Sequence, residues 1–296
     1  MVDQQDSEGF VMASASVTAA RMKNKVQSVN PVHYFTLAIF VFVAIFPFWW
    51  MYVVASNDQS VLAHTPPPIK PGPNLGKTIK TVYEFVNFNR AIATSFFIST
   101  ILAAAQVFFC SFAGYAFARL RFRGRGFLFG FILFTMMLPS QLGIVPLYIL
   151  MVKLHWVDNL KAVIIPGLVS AFGVFWMRQI ILTVISDEII QAARIDGAGP
   201  WQIYRRVVFP IIRPTALVLG LFAFLAAWND FTWPMLILSG KQLTVQTAIK
   251  TMRSAYYVNY SAQMGASLLA TLPLLILFFF VSKQLVKGVM DGAIKG

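Results

Sequence analysis

Six long apolar runs separated by short polar segments constrain this chain more than any other feature of its sequence. They cover about residues 35–55, 91–118, 127–151, 161–184, 215–238 and 264–286. Each approaches or exceeds the ~20 residues a helix needs to cross a bilayer. Composition agrees: 12% of residues are charged, against about 25% in a soluble domain. The expected fold is all-α, a polytopic membrane protein with six transmembrane helices. A net charge of +13 in a soluble chain would suggest nucleic acid. Here the cations flank apolar spans, where they set topology and meet anionic membrane lipid, so no nucleic-acid partner is expected. Cys110 is the only cysteine, which excludes an internal disulfide, and His33, His64 and His155 are too scattered for a metal site.

Taken in order, residues 1–30 read as a polar cytoplasmic tail. The run at 35–55 exceeds the ~7–15 residues of a signal-peptide core, so it reads as an uncleaved first span. With its outer loop it fills 31–90, where TPPPIKPGPNLGK is too rich in proline and glycine for a helix. Residues 91–287 hold the other five spans, with a polar interruption at 186–210, and 288–296 form a short cytoplasmic tail. Pro139, Pro146 and Pro166 are expected to kink or break the third and fourth spans. The segment 239–263, with Tyr256, Tyr257 and Tyr260, reads as an outer loop.

Six spans put both termini on one side. Placing that side in the cytoplasm puts Arg21, Lys23, Lys25, Arg119, Arg121, Arg123, Arg125, Arg178, Arg194, Arg205, Arg206, Arg213, Lys283, Lys287 and Lys295 inside, 15 of the chain's 24 basic residues. That is the bias expected of cytoplasmic loops.

The segment 186–214 is the longest charged interruption in the second half of the chain. Ser186 or Asp187 caps a short helix with Asp187 and Glu188 in its first turn. Ile189, Ala192, Ala193 and Asp196 recur at helical spacing. Gly197-Ala198-Gly199 breaks that helix, Pro200 opens a second one over 201–208, and Pro210 and Pro214 are expected to close it. Two small helices with an alanine face and a glycine corner read as a docking knob.

Gln191-Ala192-Ala193-Arg194-Ile195-Asp196-Gly197 resembles the E-A-A-x-x-x-G loop of binding-protein-dependent ABC importer permeases, and Val208-Phe209-Pro210 fills its later hydrophobic-Leu-Pro element. The Ile195–Ala198 stretch, GYAFARLRFRG at 114–124, WNDF at 228–231 and GAIKG at 292–296 are similar to the sugar subgroup that includes the smaller maltose permease subunit. The resemblance implies the ABC importer permease fold and a sugar cargo, a di- or oligosaccharide, with glycerol phosphate or a polyol left open. It implies a second permease subunit in a heterodimer, two ATPase subunits that bind ATP and Mg, and an extracytoplasmic sugar-binding protein. Glu188, Gln191, Ala192, Ala193, Asp196, Gly197 and Pro210 would then couple the chain to the ATPase. Gln191 stands where the family has glutamate. Glu188, one turn earlier on the same face, is placed to supply the missing charge.

Asp230 falls in the fifth run, where a central Asp costs about 2.5–3.5 kcal/mol on the insertion scale. It must therefore face a cavity or a partner. With Gln141, Trp228, Asn229 and Trp233 it is a candidate for the substrate path; a polar clasp between spans is the other reading. Asp291, Gly292, Lys295 and Gly296 in the tail are expected at the ATPase side. An ion-coupled secondary transporter would show repeated halves and buried ionisable pairs, and Asp230 is nearly alone. No G-x-x-x-x-G-K-[ST] and no H-E-x-x-H occurs, so the chain itself is not expected to be an enzyme.

Overall fold

An apolar segment long enough to cross a bilayer folds as a helix, because only then do its backbone groups bond within the segment. The computed structural model describes residues 31–62, 65–240, 242–253 and 258–293, with side chains up to 282. The tail at 1–30, Tyr256, Tyr257, Lys295 and Gly296 lie outside the described residues. Residues 1–50 and 51–296 make two units. The described part of the first is the N-terminal stretch of helix α1 (Pro31–Ser56). Among the described residues the β pairing amounts to one isolated bridge, Arg253 with Val258.

The rest is helical. After α2 (Gln59–Leu62) and α3 (Leu75–Phe85) comes α4 (Phe88–Arg119), the central helix of 32 residues. It is followed by α5 (Arg125–Met137), a 3-10 turn at Ser140–Gly143, α6 (Ile144–Lys153), α7 (Leu160–Gly167) and α8 (Ala171–Val184). Then come α9 (Asp187–Ile195), α10 (Pro200–Ile203), a π-helical turn at Tyr204–Val208 and α11 (Phe209–Asn229). The chain finishes with α12 (Thr232–Ile237), α13 (Val245–Lys250) and α14 (Tyr260–Ala293). Among the described residues five stretches are long and apolar enough to cross a membrane, and a sixth span arises if α5 and α6 are counted as one.

Several breaks differ from the sequence expectation, each for a local reason. The third run breaks at its first proline, as expected. Residues 125–137 and 140–153 are bent by 99° at Leu138-Pro139, because the residue before a proline is pushed out of the helical region. Pro146 breaks nothing, lying in the first turn of α6. Pro166 lies inside α7 and the break follows Gly167. Neither Pro210 nor Pro214 closes a helix: both lie inside α11, which runs on from the knob. The π turn before them widens the hydrogen-bond register, with Phe209 N–H reaching Tyr204 O, so the missing proline donors do not terminate the helix. Residues 75–85 are helical despite the proline-rich run before them, and 245–250 are helical within the supposed outer loop. Helix α14 continues past the sixth apolar run to Ala293, so Asp291 and Gly292 of the expected tail are helical.

α4 packs along α8 and α11. Small residues let helix backbones approach. A Cβ on Gly114 would lie 2.8 Å from the Arg178 backbone nitrogen and 2.9 Å from Met177 Cβ. Around this contact Tyr115, Met177, Ile181, Ile190, Ile203, Val208 and Ile212 form a buried cluster. Where the fourth run breaks, α4 satisfies the freed backbone: Gln106 Nε2 donates to Gly167 O at 2.9 Å, and Ser170 N–H points to Cys110 Sγ at 3.5 Å. Gly114→Ala should lower the thermal midpoint of the detergent-solubilised protein, since overpacking of a tight contact costs about 1–3 kcal/mol. Gly76→Ala, where a Cβ meets nothing within 4 Å, should not; equal midpoints for the two variants would contradict the close α4–α8 approach.

Candidate functional site

The knob is built around a helix with two dissimilar faces. Glu188, Gln191, Ala192 and Ile195 follow at i, i+3, i+4 and i+7 of α9 and all are exposed, Ile195 by 87%. On the other side Ile190 is buried and Ala193 packs on the same cluster as Tyr115 and Met177. The two alanines therefore do not share a face: Ala192 is exposed and Ala193 is on the core. Asp187 pairs with Arg119 at the end of α4. The Ser186 hydroxyl, helped by the backbone N–H of Glu188 and by Arg119, holds the Glu188 carboxyl below the usual carboxylate range. Glu188 is thus anionic throughout the neutral range.

α9 ends in a Schellman arrangement. Gly197 N–H donates to Arg194 O and Ala198 N–H to Ala193 O, both at 3.0 Å, and Gly197 has φ +77°. A Cβ on Gly197 would meet nothing within 4 Å. Glycine is required here by backbone conformation, not by space. Asp196 is exposed beside it. Gln202 then caps the next helix, its Oε1 accepting from Gly199 N–H at 3.1 Å.

The far end of α11, about 30 Å away at 1.5 Å per residue, holds the second feature. Helix α11 stops at Asn229, so Asp230 lies at a break and not within a continuous span. Its Oδ1 accepts from Trp233 N–H at 3.4 Å. Two adjoining cavities meet there. One, of about 230 Å³, is lined by Ser95, Ile98, Leu102, Pro166, Thr244 and others; the second, of about 390 Å³, is lined by Ser140, Gln141, Ile144 and Thr232. Asp230, Trp233 and Leu147 line both. Trp233 is held by its indole N–H, which donates to Ala162 O at 3.0 Å. Gln141 sits in the 3-10 turn rather than in a helix, its Oε1 3.5 Å from Ser140 Oγ. Among the described residues no group of His, Cys, Asp and Glu could hold a metal ion.

Residues 106–290 match the family described as "Binding-protein-dependent transport system inner membrane component", a stretch that takes in the knob, α11 and its cavity-facing break. The chain belongs to this family. It is 33% identical over 203 residues to the arabinooligosaccharides transport system permease protein AraQ of Halalkalibacterium halodurans, covering 68% of this chain and 72% of the relative. It is 30% identical to the lactose transport system permease protein LacG of Rhizobium radiobacter, over 89% of this chain and 96% of that one. The sn-glycerol-3-phosphate transport system permease protein UgpE of Salmonella choleraesuis is 28% identical, over 86% and 94%. A solved bacterial ABC transporter involved in the import of the acidic polysaccharide alginate superposes with a TM-score of 0.71 at 22% identity, over 85% of this chain and 94% of that one.

In this permease the residues singled out from sequence divide. Asp230, Trp233 and Gln141 come together at the cavities. Trp228 does not: it is 1% exposed and stacked on Phe224, with ring centroids 5.8 Å apart. Asn229 is exposed but turned to its own helix, its Nδ2 donating to Leu225 O at 2.9 Å. Pro210 is exposed in the first turn of α11. Sequence reasoning missed Ser95, Leu147, Pro166 and Thr244 as lining residues. It also missed α13, whose Thr244 cap followed by Val245, Ala248 and Ile249 was the available signal. For this permease Trp228→Ala should lower the yield of folded protein, since deleting a buried Trp costs about 3–5 kcal/mol. Asp230→Asn, which keeps an acceptor for Trp233 N–H, should assemble normally and alter the substrate-concentration dependence of uptake. Altered selectivity in the first variant at full yield would contradict this division.

Proposed function

We propose that this chain is one permease subunit of an ATP-driven importer for a sugar, a di- or oligosaccharide, and that it works by alternating access. One observation carries the reading: a single span joins an exposed knob, with Glu188, Gln191, Ala192 and Ile195 on its outer face, to two cavities that share a half-buried carboxylate. Ile195, left 87% exposed on a polar helix, suits burial against a protein. In this reading Glu188, Gln191, Ala192, Asp196 and Gly197 meet the ATPase, while Ala193, turned to the core, holds the helix in place and Pro210 lies at the root of the knob. The partners are a second permease subunit in a heterodimer, two ATPase subunits that bind ATP and Mg, and an extracytoplasmic sugar-binding protein. The termini and the knob lie in the cytoplasm, with Asp291, Gly292, Lys295 and Gly296 at the ATPase side. Glu188 supplies the charge that Gln191 lacks.

The similarity to AraQ and LacG supports a sugar; that to UgpE keeps glycerol phosphate as a second reading. The cavity chemistry favours the sugar. Among the described residues no lysine or arginine lines either cavity, and Asp230 is the charged group that does. A carboxylate accepts hydrogen bonds from hydroxyls and repels a phosphate, and the face of Trp233 suits an apolar ring face.

The test of docking is Gly197→Asp. Forcing a side-chain-bearing residue to φ +77° costs about 1 kcal/mol or more and disturbs the corner that presents α9. The variant should insert in the membrane at wild-type level, lose uptake, and fail to co-purify the ATPase. Co-purification at wild-type yield would contradict the docking role.

A further inference from the structure

The guanidinium of Arg119 is a meeting point for elements that the chain order keeps apart. Arg119 is the last residue of α4. Its Nη1 donates to the carboxylate of Asp187, the first residue of α9, and its Nη2 to the carbonyls of Leu182 and Ile185 at the end of α8. A return bond runs from the other end of α9, where Arg194 Nη2 donates to Arg119 O at 3.3 Å. The first and last turns of the knob helix are thus both tied to one residue of α4. The Arg119 side chain is 9% exposed and its Nε has no hydrogen-bond partner among the described residues. A charge so far from water depends on the partners it keeps. The fork of guanidinium N–H groups spans a carboxylate and helix-end carbonyls at once, which an ammonium would not do.

α4 also reaches the transport end of the molecule. Ser95, Ile98 and Leu102 of the same helix line the cavity that holds Asp230 and Trp233. The covalent path from α9 to that cavity runs either back through α8 and its break after Gly167 or forward through the π turn at Tyr204–Val208. α4 crosses the distance as one unbroken helix.

We infer that Arg119 is a positioning residue that transmits movement of the knob to the cavity wall through α4, by clamping α9 and the end of α8 to the end of that helix. This rests on the reading of α9 as the ATPase-docking helix. The clamp carries displacement from α9 into α4, so removing it leaves docking and hydrolysis intact and uncouples them from transport. The Asp187 carboxylate is 71% exposed, and without it the Arg119 guanidinium keeps the carbonyls of Leu182 and Ile185, so Asp187→Ala is the milder of the two substitutions for folding.

The experiment uses the assembled complex with its ATPase and binding protein in proteoliposomes, with Asp187→Ala, Arg119→Met and the double variant. Three quantities are read: ATPase co-purified, ATP hydrolysed, and substrate carried per ATP. Each single variant should retain the ATPase and lose about fivefold or more in substrate carried per ATP, the size of a modest coupling energy. The double variant should be no worse than the worse single one, because both substitutions break one interaction. If Arg119→Met does not yield an assembled complex, Asp187→Ala alone decides. A wild-type transport-to-hydrolysis ratio in Asp187→Ala overturns the inference, as do additive losses in the double variant. Loss of the ATPase itself from Asp187→Ala also overturns it, since the contact would then serve docking and not transmission. Failure of the docking reading is separately visible, as retention of the ATPase by Gly197→Asp.

Discussion

Backbone N–H and C=O groups inside an apolar span have no water to turn to, so a helix that breaks there must be repaired by other parts of the protein. This permease breaks its spans at Leu138-Pro139, after Gly167 and at Asp230. Each break has a repair. Leu142 N–H turns back to Pro139 O at 3.1 Å. Gln106 and Cys110 of α4 serve the backbone at Gly167 and Ser170. Asp230 takes the Trp233 N–H at the start of α12. The breaks line the cavities, since Pro166, Gly167, Ser140, Gln141, Asp230 and Trp233 are all wall residues. At Asp230 the carboxylate that takes up the freed backbone N–H is also a polar group of the cavity wall.

The other end is solved in a different way. There the problem is to hold a nine-residue helix, α9, that is too short to be stable on its own. Ile190 and Ala193 anchor it in the cluster of Tyr115, Met177 and Ile181, the Gly197 corner ends it, and Arg119 and Arg194 tie it to α4. Its other face, with Ile195 nearly fully exposed, is the one we propose meets the ATPase. The helix is fixed to the membrane body on one side and open on the other, which is what a relay for movement requires.

The spans were legible because length and apolarity alone dictate them. The knob was legible because Asp187, Glu188 and Gly197 mark a helix start and stop by local chemistry. What failed was whatever depended on tertiary context. Pro210 looked like a stop, yet the π turn before it absorbs a proline that an α-helical register would not. The proline-rich run obscured α3, although Ile79 and Val82 carry helical spacing and Val82 is fully buried. Trp228 was drawn to the path by its polar neighbours Asn229 and Asp230, while the Phe224–Trp228 pair at i, i+4 pointed to the core. Arg119 and Asp187 lie 68 residues apart, so no local pattern could have joined them.

The central claim is that the cavities beside Asp230 open to opposite sides of the membrane as the ATPase changes state. Gln141 is exposed at the wall of the larger cavity, and the only native cysteine, Cys110, is buried. The most direct measurement is the reaction of Gln141→Cys with a membrane-impermeant thiol reagent in the reconstituted complex. The account predicts labelling from one side without nucleotide and from the other when the ATPase is trapped with ATP. Labelling from the same side at the same rate in both states would contradict it.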